Sequence, residues 1–282
     1  MLHDTELNKE LEAIRVRFVG RIEEWLPGIE AVRADLNVGM FTRTDLKGLH
    51  SRLHKIAGSA ASFGFSGLSV AASELERHLD KMRLTGHVIG SMAGMLPYFD
   101  DFLDEARDIV TTFRDVDLDS DIGVGKSQTS PVRSASPPMF ALMSDTPMPL
   151  KPLILVVDDD DLMRSYVTTG LAPNGWSFIE ADNGQKALDV LDELASDPRR
   201  QRPDLIILDV DMPEMNGFIT LSKIMDSPGW QNTPIMMLTA KDEDINFIQG
   251  YAKGALEYLI KPIELPVLAK VVQDLLHRTA AG

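Results

Sequence analysis

The sequence predicts two units of different fold class: an all-α four-helix bundle, then an α/β doubly wound, five-stranded parallel sheet. Three observations carry this. Apolar residues recur at three- and four-residue steps through the first 115 positions. Five short apolar runs alternate with helical stretches after residue 151. Between them, 116–150 is rich in Ser, Pro and Thr and has neither period. The expected division is therefore a bundle at 1–115, a flexible linker at 116–150 and a sheet domain at 151–282.

The first helix is expected from Leu7 to Leu36, with Leu11, Ile14, Phe18, Ile22, Trp25, Ile29 and Val32 on one face. Pro27 inside it predicts a kink or a restart. Thr44 and Asp45 are the expected caps of a second helix carrying Leu46, Leu49, Leu53, Ile56, Ala60 and Phe63 and ending at Gly64. Leu68 to Met82 forms the third. Val88 to Phe113 forms the fourth, with Pro97 against its continuity. Short loops between amphipathic helices favour an up-and-down bundle. The linker's 35 or so residues have a root-mean-square span of roughly 30–35 Å, which holds the two units at high mutual concentration.

The second unit has expected strands at Leu153–Val157, Trp176–Glu180, Leu205–Leu208, Ile235–Leu238 and Leu256–Ile260. Its expected helices are Leu162–Leu171, Gln185–Leu194, Phe218–Met225, Glu243–Tyr251 and Leu265–His277. Asp161 reads as the cap of the first of these and Asp160 as a solvated loop acid. Strand, helix, strand alternation gives a parallel sheet covered on both faces.

The chemistry gathers at the carboxyl ends of the strands, the edge where open α/β sheets bind ligands. Asp158 and Asp159 follow the first strand, Asp209 the third, Thr239 the fourth and Lys261 the fifth. Each alone has a bland reading as a turn, cap or surface residue, but successive strand ends make a set. Three carboxylates in one pocket repel unless neutralised. The donors are all oxygen, so Mg²⁺ is the natural partner, with Mn²⁺ as a substitute. A lysine and a hydroxyl nearby would hold phosphoryl oxygens.

This constellation resembles the response-regulator receiver domain, a flavodoxin-like fold, over about 130 residues. VVDD at 156–159 matches the metal-binding pair, and LDVDMPEMNG places Asp209 at the phosphoacceptor. The resemblance puts the backbone carbonyl of Asp211 on the metal. It makes Thr239 in MLTAKD the switch hydroxyl, Lys261 in YLIKP the phosphate-binding lysine and Tyr258 the aromatic switch. It also implies a cis peptide before Pro262. The acid at 211 stands where the family often has Met or Asn, which predicts an altered phospho-Asp lifetime.

In the bundle, Lys47, Ser51, His54, Gly58 and Ser62 form a polar stripe on the second helix. Small residues after His54 leave the imidazole accessible to a large partner. A surface His on a closely packed helix is the plainer alternative. His54-Lys55-Ile56-Ala57-Gly58-Ser59 resembles the signature of histidine-containing phosphotransfer (HPt) domains, which implies a four-helix bundle with His54 as an exposed phospho-His. That family has Lys directly before the Gly. Here Ala57 takes that place, and Lys55 is the nearest cation. His50 is the fallback.

Together these resemblances imply a two-component phosphorelay protein passing phosphoryl groups between His54 and Asp residues. No glycine-rich ATP lid or Walker loop occurs, so a kinase core is not expected and charging must come from another protein. The implied partners are a histidine kinase or hybrid kinase, other receivers or HPt proteins, and a second copy in a phosphorylation-dependent dimer. The alternative is an interaction switch whose bundle docks a partner without transfer. With 43 acidic against 28 basic residues, nucleic-acid binding is not expected. No DNA-binding output segment is read after His277. The absence of cysteine excludes thiol chemistry. Without an apolar leader or span, a cytoplasmic location and no membrane partner are expected.

Overall fold

The computed structural model describes residues 2–38, 40–85, 94–119, 151–240 and 255–280. Four helices build the first unit: α1 (Leu2–Val38), α2 (Arg43–Ser59), α3 (Ser66–Thr85) and α4 (Leu96–Asp119). The second unit runs β1 (Leu153–Val157), α5 (Asp161–Leu171), a 3-10 turn (Ala172–Asn174), β2 (Ser177–Ala181), α6 (Gly184–Ser196), β3 (Leu205–Asp209), α7 (Gly217–Asp226), β4 (Ile235–Thr239), β5 (Ala255–Ile260) and α8 (Leu265–Ala280).

Several boundaries differ from expectation, each for a local reason. Pro27 sits inside α1 without ending it. Buried Ile22, Leu26 and Ile29 flank the proline, so packing holds the helix across the missing hydrogen bond. The cap of α2 is Thr42, not Thr44 or Asp45. Its hydroxyl accepts from the Asp45 N–H, and the Asp45 carboxylate accepts from the Thr42 N–H at 2.8 Å. α2 stops at Ser59, and turns carry the chain to Gly64, whose φ of +89° suits a residue without Cβ. Pro97 is the second residue of α4, where its missing N–H is harmless. α4 also extends to Asp119, past the expected boundary at 115. The expected helix Glu243–Tyr251, most of the linker, and the segment with His87, Val88 and Met92 lie outside the described residues.

All strand pairings are parallel, in the order β2-β1-β3-β4-β5. Alternation along the strands divides the core between two faces. Ile154, Val156, Leu205, Ile207, Met236 and Leu238 pack towards α5 and α8. Leu155, Val157, Ile206, Leu208, Ile235 and Met237 pack towards α6 and α7. Each fully buried aliphatic side chain contributes about 1.5–3 kcal/mol relative to exposure.

The first of these clusters continues into the bundle. Phe63 meets Tyr166 edge to face at 5.3 Å, and one apolar cluster takes in α1 to α4 and one face of the sheet. The bundle therefore docks on the receiver-like unit, with α1 and α2 against the carboxyl end of the sheet and α5.

Candidate functional site

The strand order places β1 and β3 side by side, so their carboxyl ends bring Asp158, Asp159 and Asp209 together. One oxygen from each lies within 4.8 Å of the others. Lys261, one residue past β5, places Nζ 2.8 Å from Asp209 Oδ1 and 3.1 Å from Asp158 Oδ2. The Lys261–Pro262 peptide is cis.

The loop after Asp209 is built to return closely on β3. A Cβ on Gly217 would lie 2.2 Å from the Asp209 carbonyl oxygen, so only glycine lets α7 start there. Asn216 caps α7 by accepting from the Ile219 N–H.

Electrostatics follow from burial and crowding. Burial pushes the Asp158 carboxyl up to about 7, with Asp209 adding to it and Lys261 opposing. Burial works to lower the Lys261 pKa, but the charges of Asp158 and Asp209 outweigh it and hold the ammonium above its usual range. One lysine does not neutralise three acids. The all-oxygen, carboxylate-rich donor set therefore fits a hard divalent cation.

Thr239 ends β4 fully buried, and Ala240 rather than Thr239 lines the cleft. Its carbonyl accepts from the Lys261 N–H at 2.7 Å. Tyr258 is half-buried on β5 against the core and does not line the cleft. Asp211 does line it. Its Oδ2 is buried without a hydrogen-bond partner and lies 3.8 Å from His54 Nε2.

The other wall of the cleft is α2, through His54, Lys55, Gly58 and Ser59. His54 is half-buried rather than exposed, because the sheet domain covers it. Its Nδ1 is 2.8 Å from Oε1 of Glu76, a buried carboxylate on α3, which leaves Nε2 facing Asp211. Burial disfavours the charged ring. The hydrogen bond and charge of Glu76, helped by Asp211 and Asp209, outweigh it and raise the His54 pKa. Lys55 Nζ is 2.8 Å from Asp159 Oδ2 and donates to the Asp159 carbonyl at 3.2 Å. A Cβ on Gly58 would meet Lys261 Cδ at 3.6 Å, so this helix face has room for little more than a methyl. Ser62 Oγ accepts from the Ile263 N–H at 2.8 Å.

Asp160 and Asp161 do not follow their expected roles. Asp160 is the cap of α5, accepting from the Leu162 N–H, and is buried rather than solvated. Asp161 is the first helical residue. Arg21 of α1 reaches both acids, Nη1 to Asp160 at 2.6 Å and Nη2 to Asp161 at 2.5 Å.

His50 lies beside the site, 3.0 Å from Asp80 and 3.7 Å from Glu76. His78 stacks on Tyr98, away from the cleft. Sequence reasoning missed Glu76 and Arg21. Glu76 follows Leu75 at a position that reads as a helix flank, and Arg21 is one of several cations on α1.

Comparison with known proteins matches two parts of the chain. Residues 14–109 match the family model of the Hpt domain, and residues 154–273 match that of the response regulator receiver domain. The response regulator MprA of Mycolicibacterium vanbaalenii is 39% identical over 132 residues, covering 47% of this chain and 52% of MprA. Transcriptional regulatory protein AfsQ1 of Streptomyces coelicolor is 34% identical over 127 residues, covering 45% and 52%. This chain thus spans about half the length of the curated relatives it matches. Among solved structures, the chemotaxis protein CheY4 of Vibrio cholerae is 31% identical, with a TM-score of 0.40 covering 45% of this chain and 99% of CheY4. No described helix is long and apolar enough to cross a membrane.

Proposed function

We propose that this chain, in which an Hpt domain is joined to a response regulator receiver domain, passes phosphoryl groups between His54 and Asp209 within a two-component phosphorelay. The observation that carries the reading is a shared cleft. His54 of the bundle lines the same opening as Asp158, Asp159, Asp209 and Lys261 of the receiver.

Each residue then has a task. Glu76 accepts a hydrogen bond from the His54 Nδ1–H and fixes the ring, so Nε2 is the nitrogen that carries phosphate. In transfer to the receiver, an Asp209 oxygen bonds to phosphorus as the Nε2–P bond breaks, and the imidazole keeps the electron pair. Lys261 faces the charge that develops on the phosphoryl oxygens. Asp158, Asp159, Asp209 and the Asp211 carbonyl would hold Mg²⁺, which neutralises phosphoryl charge when bound. Lys55 holds the bundle against Asp159 and supplies the positive charge that Ala57 does not. Thr239 and Tyr258 are the residues through which the receiver would report phosphorylation to β4 and β5.

The chain's modules are signalling domains and not a kinase core. Phosphate therefore arrives from a histidine kinase, a hybrid kinase or another phosphorelay protein. Acetyl phosphate labelling of the full chain tests the reading. Wild type should carry label on both Asp209 and His54. His54→Ala should carry only the acid-stable, alkali-labile acyl phosphate, and Asp209→Ala neither. A transfer rate to His54 that is independent of dilution marks exchange within one chain. Wild type labelled on Asp209 alone would favour a bundle that docks without transfer.

A further inference from the structure

We propose that Arg21 is the residue by which the bundle selects its receiver, by reading two consecutive carboxylates at the start of the receiver's first helix. The proposal rests on the phosphotransfer reading above.

The geometry is that of a fork on a pair of prongs. Arg21 sends one guanidinium nitrogen to Asp160 at 2.6 Å and the other to Asp161 at 2.5 Å. Arg17, one turn earlier, reaches the second oxygen of Asp161 at 3.2 Å. The Arg21 side chain is only 17% exposed, and its guanidinium lies 5.7 Å from the centre of the Trp25 ring. A lysine is a point charge and could not span two carboxylates on adjacent residues in this way.

The other polar contacts across the interface carry less identity. Ser62 accepts from a backbone N–H, which any residue but proline at that position would offer. Lys55 pairs with Asp159, a member of the carboxylate trio that the chemistry itself requires. Asp160 is in part committed to the chain, because it caps α5. Asp161 is free of both duties. Its side chain is 53% exposed and it belongs to no catalytic set. It is thus the position where receivers can differ without losing their chemistry.

Docking on a receiver with a neutral residue there would leave half of a desolvated guanidinium unpaired. Docking on one with a cation there would set like charges together. The partner class is therefore any receiver presenting two acids in succession at this helix start, the chain's own being the first.

The test uses full-length chains charged with acetyl phosphate, following label on Asp209 and then on His54. Arg21→Glu and Asp161→Arg should each slow transfer to His54 by about tenfold or more, the range for a lost charge-assisted contact. Labelling of Asp209 in each variant shows that its receiver is folded, and the transfer rate to His54 is taken relative to it. The double variant, with the charges exchanged, should regain part of the rate, since Asp160 and Arg17 keep their charges beside the exchanged pair. Wild type without phospho-His54 overturns the parent reading. Label on wild-type His54 with both single variants at wild-type rates overturns receiver selection alone. Slow single variants with no recovery in the double also overturn it, since the loss would not then belong to the pair.

Discussion

Substituting Glu76 by Gln keeps the size of the group that holds His54 and removes its charge. The wild-type contact is 2.8 Å long and joins a buried carboxylate to a half-buried ring, so solvent screens it little. Charge-assisted hydrogen bonds of this kind contribute about 1.5–3 kcal/mol, which is about one to two pKa units on the imidazole. Burial already opposes the charged ring, and in the variant the charges of Asp211 and Asp209 would be left to oppose it. The His54 pKa should therefore fall from its raised position towards the usual histidine value of about 6.5. The stability consequence has a definite sign. A histidine pKa raised by folding contributes stability that is fully present below the unfolded value and fades as pH rises through the folded value. The stability gap between wild type and Glu76→Gln should thus be widest near pH 5.5 and narrow or reverse by pH 9. The assay is the melting temperature across that range, paired with NMR titration of the His54 ring, assigned by its loss in His54→Ala. A gap that does not change with pH, or a His54 titration that stays put, would refute the reasoning.

Gly217→Ala forces a Cβ to within 2.2 Å of a backbone oxygen that cannot swing aside. It should destabilise the receiver by about 1–3 kcal/mol or more, and a melting temperature within a degree of wild type would count against the close approach. Lys261→Met removes the cation between Asp158 and Asp209, so calorimetry should show tighter Mg²⁺ binding while labelling by acetyl phosphate is lost. Tighter binding without loss of labelling would mean that Lys261 does not serve phosphoryl transfer. Asp211→Asn removes a buried, unpartnered carboxylate oxygen beside the proposed phosphoacceptor and should change the lifetime of phospho-Asp209 in a decay assay. An unchanged decay would confine Asp211 to its contact with His54.

Much of the fold was legible because its signals are local. Period-three-and-four runs gave the helices of the bundle, and unbroken runs such as Leu153–Val157 gave strands buried on both faces. Boundaries failed where a side chain had two plausible duties. Thr44 and Asp45 stand closer to the apolar run than Thr42, yet Asp45 serves as the partner in a capping box rather than as the cap. Asp160 and Asp161 depart from expectation for a similar reason, since either could cap α5, and Arg21 of the other domain reaches both. The carboxylates at strand ends were legible because parallel topology fixes where strand ends meet. Glu76 was not, because its value comes from facing His54 across a helix pair, and helical periodicity gives a face without saying what stands opposite.

The placement of charge argues that the cleft is the property of both domains. Asp158, Asp159, Asp160, Asp209 and Asp211 line it. The receiver answers these acids with Lys261, and the bundle brings Lys55 to Asp159 and Arg21 to Asp160. The bundle thus supplies much of the positive charge, through Lys55 next to His54 on α2 and Arg21 on α1. An undocked receiver must leave those carboxylates to water and to cations from solution. A docked one gains fixed cations and loses water, which strengthens every remaining interaction with a phosphoryl group. On the proposed reading, docking and readiness for transfer are one event. The same contacts that bring His54 to the cleft also reduce the repulsion that a dianionic phosphoryl group would meet there.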